Sequence, residues 1–202
     1  GLRTITVIHD ACKMAGIHPK DIPLEDSYVY RQLSNGCTIG VFQYEGYGYT
    51  RFIRQMKPKK FNDLIALGSL YRPGPLNSGM ADDYVRRMHG EDYINEFPGI
   101  SDDTYGILLY QEQIMELAVR YAGFSMNKAD ILRKAIGKKD DELMRSILKE
   151  FKEGLQINGI ARNSIESITQ KIITFARYGW NKAHAVSYAL LSYQTAWLRL
   201  IN

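Results

Sequence analysis

The sequence predicts a mainly α-helical fold, an irregular multi-helix domain with a few short extended segments. Two observations carry this. Apolar residues return at helical spacing in segment after segment, and the breaks between segments fall at residues that end helices: Gly16, Asn35-Gly36, Pro58, Gly137 and Asn158-Gly159. Only residues 38–43 and 105–110 read as short runs of extended chain.

With 202 residues, 45% hydrophobic and 24% charged, the chain can bury a sizeable core. It is read as one unit, with 1–60 as N-terminal helices and 61–202 as a helical body. A net charge of +4 permits a polyanionic partner without requiring one. Cys12 and Cys37 are far apart and lack histidines at metal-ligand spacing, so free thiols, no zinc and a cytoplasmic setting are expected. No apolar run approaches the ~18–20 residues of a membrane span, and no signal segment is visible. The chain starts Gly1-Leu-Arg-Thr and stops after a long apolar helix pattern, so a piece of something larger is expected.

Residues 3–15 predict an amphipathic helix ended by Gly16, and 26–33 a second, closed by Asn35-Gly36. The Gly-Tyr alternation of 44–49 reads either as a base-stacking surface or as a turn with packed tyrosines, ahead of a helix carrying Arg51, Arg54 and Lys57. Residues 61–70 are almost continuously apolar and predict a buried helix, which delivers the chain into Tyr71-Arg72-Pro73-Gly74-Pro75. Proline restricts both itself and the residue before it, so Arg72 is expected on a rigid loop. That loop either positions Arg72 for function or merely ends the helix. Asn77 or Ser78 is expected to cap a helix over 79–88, and 90–103 is polar and irregular.

Residues 105–110 predict a short buried strand or extended piece running into a helix over 111–121. The polar triplet Gln111-Glu112-Gln113 after that apolar run needs partners. Ser125 caps the next helix, which the sequence ends at Gly137, with Ile131, Leu132, Ala135 and Ile136 as its apolar stripe. Arg133, Lys134, Lys138 and Lys139 gather around its last turn. They read either as a phosphate grip or as cations complementing a helix C-terminus. Asp140 is expected to cap the following helix, with Asp141 and Glu142 as helix-start charges rather than metal ligands. Asn163 and Glu166 predict a capping box for a helix to Arg177. In Tyr178-Gly-Trp-Asn-Lys-Ala-His-Ala185, Asn181 caps the last helix and places Lys182 and His184 in its first turn. Cations there oppose the helix dipole, a conflict that a bound anion would relieve, although a lone core His184 and a solvated Lys182 would give the same pattern.

Taken together, residues 70–80, Tyr105-Gly-Ile-Leu-Leu-Tyr-Gln-Glu-Gln113, Leu132-Arg-Lys-Ala-Ile-Gly-Lys-Lys139 and the 178–185 motif resemble the C-family DNA polymerases, the bacterial replicative polymerase III alpha subunits. The resemblance runs in the family's order from Gly1-Leu-Arg-Thr to Ser192-Tyr-Gln-Thr-Ala-Trp197 and implies the fingers region. Trp180, Ala183 and Tyr71 stand where the family more usually has Phe, Ser and Phe, and residues 44–50 are atypical.

The resemblance implies that the catalytic aspartates lie in a palm that this chain lacks, so it is expected to be inert alone, with no catalytic or metal-binding residues. Residues 1–60 would join that palm. Arg72, Arg133, Lys134, Lys138, Lys139 and Lys182 are then assigned to phosphates of the nucleotide or template, and Asn181 and His184 to hydrogen bonding and orientation. The implied partners are an incoming deoxynucleoside triphosphate, primer-template DNA, the palm and thumb, and replisome subunits reached through other regions. No membrane is implied. No cofactor is expected in this chain, while magnesium is implied for the complete polymerase. A free-standing helical nucleic-acid-binding domain and a protein-interaction module remain the alternatives.

Overall fold

A computed structural model describes residues 2–138 and 141–201. Among them, helices α1 (Arg3–Ala15), α2 (Ser27–Ser34), α3 (Tyr47–Met56), α4 (Phe61–Leu70), α5 (Pro73–Asn77) and α6 (Met80–Met88) come first. They are followed by α7 (Gln111–Ala122), α8 (Met126–Lys138), α9 (Asp141–Ile157), α10 (Arg162–Tyr178) and α11 (Lys182–Ile201). The described residues contain no sheet, only a single parallel bridge between Tyr110 and Trp180, so the fold is mainly α. No described helix is long and apolar enough to cross a membrane. The chain divides into two compact units, Gly1–Arg72 with Ala183–Asn202, and Pro73–Lys182.

In the first unit, α1 ends at Gly16, whose φ of 70° is the left-handed geometry glycine tolerates. Asp26 caps α2 by accepting from the Tyr28 N–H at 2.9 Å. The Asp63 carboxylate accepts from the Lys59 and Lys60 N–H groups at 2.7 and 3.1 Å and so fixes the start of α4, which buries Leu64, Ile65, Leu67 and Leu70. Residues 38–43 form successive turns rather than extended chain. The Val41 N–H returns to Thr38 O, that of Tyr44 to Val41 O, and that of Phe42 goes to Thr195 Oγ1, so no ladder can start. The Gly-Tyr alternation opens α3, and its tyrosines pack: the Tyr49 ring stacks on Tyr44 at 5.0 Å and meets Tyr71 at 4.3 Å. A Cβ on Gly48 would collide with the Tyr71 hydroxyl. Cys12 and Cys37 are free thiols.

In the second unit, the expected rigid loop at residues 73–75 is instead the first turn of the short helix α5. Both prolines fall where no intrahelical N–H is needed, so they start a helix rather than stop one. Gly79, at φ 80°, precedes α6 in place of the expected Asn77 or Ser78 cap, because Ser78 Oγ donates to Pro75 O. Residues 105–110 form no strand, since Tyr105 and Gly106 both have left-handed backbones, at φ 53° and 75°.

Helices α7, α8, α9 and α10 surround the main core, with Ile114, Leu117, Leu132, Phe151, Ile172 and Phe175 at its centre. A Cβ on Gly154 would run into the Ala122 carbonyl, so glycine permits the close approach of α9 to the end of α7. The Ser125 hydroxyl accepts from the Lys128 N–H at 3.3 Å, as a cap for α8 should. That helix continues through Gly137 to Lys138. Its buried stripe is Ala129, Leu132, Ala135 and Ile136, while Ile131 is 42% exposed. Asp140, the expected cap of α9, lies outside the described residues. The expected Asn163–Glu166 capping box does not form: Ala161 is the N-cap, and Glu166 instead accepts from Lys152 Nζ on α9. A longer-range ion pair has taken the side chain that local spacing assigned to a cap.

Candidate functional site

Arg72 and His184 belong to the first unit. Arg72 follows the end of α4, and its Nε donates to Ser69 O at 2.9 Å while its N–H reaches Leu70 O at 2.8 Å. Those bonds satisfy carbonyls at a helix C-terminus and fix the start of the side chain. Burial pulls the guanidinium below its ordinary pKa. His184 is exposed on α11, with its ring centroid 4.3 Å from that of Tyr188 one turn further on.

The other described candidates belong to the second unit. On α8, Asp130 Oδ1 accepts from Arg133 Nε at 2.7 Å and Oδ2 pairs with Lys134 Nζ at 2.7 Å. One carboxylate thus holds two cations one turn away, at the i+3 and i+4 positions. Hydrogen bonds from Lys134 and then Arg133 hold the Asp130 carboxyl below its ordinary pKa. Lys138 is exposed in the last turn, beside the helix C-terminus that favours positive charge. Lys139 lies outside the described residues. The packed side of α8 is wholly apolar, so burial fixes which way Arg133, Lys134 and Lys138 face.

Asn181 and Lys182 meet Glu112, which is not among the site residues expected from the sequence. Glu112, in the first turn of α7, accepts from Asn181 Nδ2 at 2.9 Å through Oε1. Both its oxygens also accept from the Lys182 N–H, at 3.2 and 3.0 Å. A carboxylate of the chain itself therefore stands at the start of α11, and the dipole conflict raised by Lys182 is met internally. The Lys182 ammonium lies 5.3 Å from the Tyr110 ring centroid, within cation–π range. Two backbone bonds join the same segments, Gln111 N–H to Trp180 O at 2.9 Å and Trp180 N–H to Leu109 O at 3.3 Å.

The polar triplet before α7 thus finds its partners. Gln113 is buried, accepts from the Leu109 and Tyr110 N–H groups, and donates to Ile100 O and Thr104 Oγ1. The placement of this polar triplet after an apolar run is the sequence signal that its members, Glu112 among them, need partners. Among the described residues no group of three or more His, Cys, Asp or Glu is arranged to hold a metal ion.

Comparison with known proteins gives a consistent result. Residues 4–159 match the family model of the bacterial DNA polymerase III alpha subunit finger domain. DNA polymerase III subunit alpha of Campylobacter jejuni is 40% identical over 210 residues, covering 98% of this chain and 17% of that protein. The subunit from Buchnera aphidicola is 42% identical, covering 98% of this chain and 19% of its own length, and that from Thermus aquaticus is 41% identical, covering 98% and 17%. The chain spans less than a fifth of the length of these relatives.

Proposed function

Because the chain belongs to the bacterial DNA polymerase III alpha subunit finger domain family, we propose that it acts within a longer replicative polymerase, holding the triphosphate of the incoming deoxynucleotide and the phosphates of template and primer. The observation that carries this reading is α8. Its apolar side is buried, which leaves Arg133, Lys134 and Lys138 directed outward from a fixed frame.

Arginine suits bidentate contact with phosphate oxygens, and lysine supplies a point charge. Arg133, Lys134, Lys138, Lys139 and Lys182 are the proposed phosphate contacts of the second unit, with Asn181 as a hydrogen-bonding group. Arg72 and His184 are proposed to contact phosphate and to orient the nucleotide from the first unit. In the longer enzyme, palm carboxylates would hold magnesium, which supplies charge neutralisation during nucleotidyl transfer.

A salt titration of binding to single-stranded DNA, and to primed duplex with nucleotide, tests the reading. Phosphate contact predicts affinity that falls steeply with salt and is weakened by Arg133→Ala and Lys138→Ala. Absence of measurable affinity at low salt would instead support a protein-interaction module.

A further inference from the structure

We propose that Glu112 is a positioning residue for nucleotide binding, acting through Asn181 and Lys182. The inference rests on the phosphate-binding reading of those two residues and adds the group that sets their geometry. The Glu112 carboxylate, in the first turn of α7, reaches the start of α11. It takes a hydrogen bond from the Asn181 side-chain amide at 2.9 Å and from the Lys182 N–H at 3.0 and 3.2 Å.

Its contribution separates from that of the fold. The backbone bonds between residues 109–111 and Trp180 do not use its side chain, and the nearby core is built from Ile114 and Leu117, which face away from solvent. What depends on Glu112 is the rotation of the Asn181 amide and the closure of the first turn that begins at Lys182. The Lys182 ammonium itself lies 5.3 Å from the ring centroid of Tyr110, next in sequence to Gln111, so a shift of that turn moves it relative to the ring. A side chain that fixes a donor and a cation in advance lowers the ordering cost of binding a ligand to them.

Charge alone predicts the opposite effect. A carboxylate close to a triphosphate repels it, so removing the negative charge would tighten nucleotide binding if geometry were irrelevant. Positioning predicts that truncation weakens it. Glutamine separates the two, because its amide oxygen accepts from the Lys182 N–H while its charge is gone.

The test uses the full-length polymerase that contains this chain, with Glu112→Ala, Glu112→Gln, Asn181→Ala and Lys182→Ala. Steady-state KM for the nucleotide, kcat, primer-template affinity and melting temperature are measured. Glu112→Ala is expected to raise the nucleotide KM about tenfold with kcat within about twofold, and Glu112→Gln to recover most of that loss. Primer-template affinity and melting temperature should stay near those of the parent. A lower KM in both Glu112 variants would mean that the carboxylate acts only by repulsion, and the proposal fails. It fails equally if Glu112→Ala lowers the melting temperature and leaves KM unchanged. A raised KM in Lys182→Ala or Asn181→Ala with none in Glu112→Ala removes the positioning role and keeps the phosphate-binding reading. Unchanged KM in all four removes that reading too.

Discussion

Asp130 accepts a 2.7 Å hydrogen bond from Arg133 Nε one turn along α8, and turns its second oxygen to Lys134. Two cations proposed to face phosphate are therefore held in place by a carboxylate that also offsets their charge. Lys134 is 54% accessible and Arg133 31%, so neither pair is sealed from water and each contributes little to folding.

Asp130→Asn is expected to leave the melting temperature almost unchanged and to raise the salt needed to dissociate single-stranded DNA. The slope of log affinity against log salt should steepen, by up to ~0.7 for each cation newly engaged with a phosphate. Arg133→Ala should flatten the slope by a similar amount. Identical elution of both variants and the parent would detach these side chains from phosphate binding.

Gln113 joins four groups around the start of α7: two backbone N–H donors, a carbonyl and a threonine hydroxyl. Stranding a buried polar group costs ~1–3 kcal/mol, and the four losses overlap because the loop can relax. Gln113→Ala is expected to lower the unfolding free energy by about 3 kcal/mol, read from urea denaturation at constant slope. Gln113→Glu keeps the acceptor and loses the donor, so it should also destabilise. A loss below about 1 kcal/mol in Gln113→Ala would show that this network does not hold the segment.

The first unit carries a cluster of tyrosines whose ionisation opposes folding. Burial pushes Tyr30, Tyr44 and Tyr49 well above the ordinary phenol value, and Tyr193 up to about 12 from 10. A group whose pKa is raised in the folded state leaves stability intact below its unfolded pKa, because neither state is then ionised. Above that value the unfolded chain releases the proton first, and stability falls until the folded pKa is reached. The melting temperature should hold below pH 10 and drop as pH rises toward 12, with late tyrosinate absorbance appearing together with helix loss. Ionisation of every tyrosine near pH 10 with helicity retained would contradict this burial.

The helices themselves were legible because their signals are local. Gly16 after a 3.6-residue repeat, Asp26 before α2 and Ser125 before α8 each act within a few residues of where they stand. The long motifs were legible for a different reason: they resemble a known polymerase family, a resemblance that the finger-domain match over residues 4–159 bears out. Local signals misled where a distant group competed for the same side chain. Glu166 spaced three residues after Asn163 resembles a cap, but Lys152 on α9 takes it. Arg72-Pro-Gly-Pro reads as a loop until the prolines are seen to occupy the N–H-free first turn of α5.

The sequence by itself determined the helical class and three of the four buried residues of α8, Leu132, Ala135 and Ile136, with Ala129 taking the place expected for Ile131. Only the tertiary structure decided what Arg133, Lys134 and Lys182 touch. Lys182 in the first turn of a helix predicts an anion but not its source, and the source is Glu112, seventy positions away. Periodicity encodes which side of a helix is apolar, because neighbours along the chain set it. The partner of a polar side chain depends on which segments packing brings within about 3 Å, the reach of a hydrogen bond, and that information is held by the whole core rather than by any one stretch.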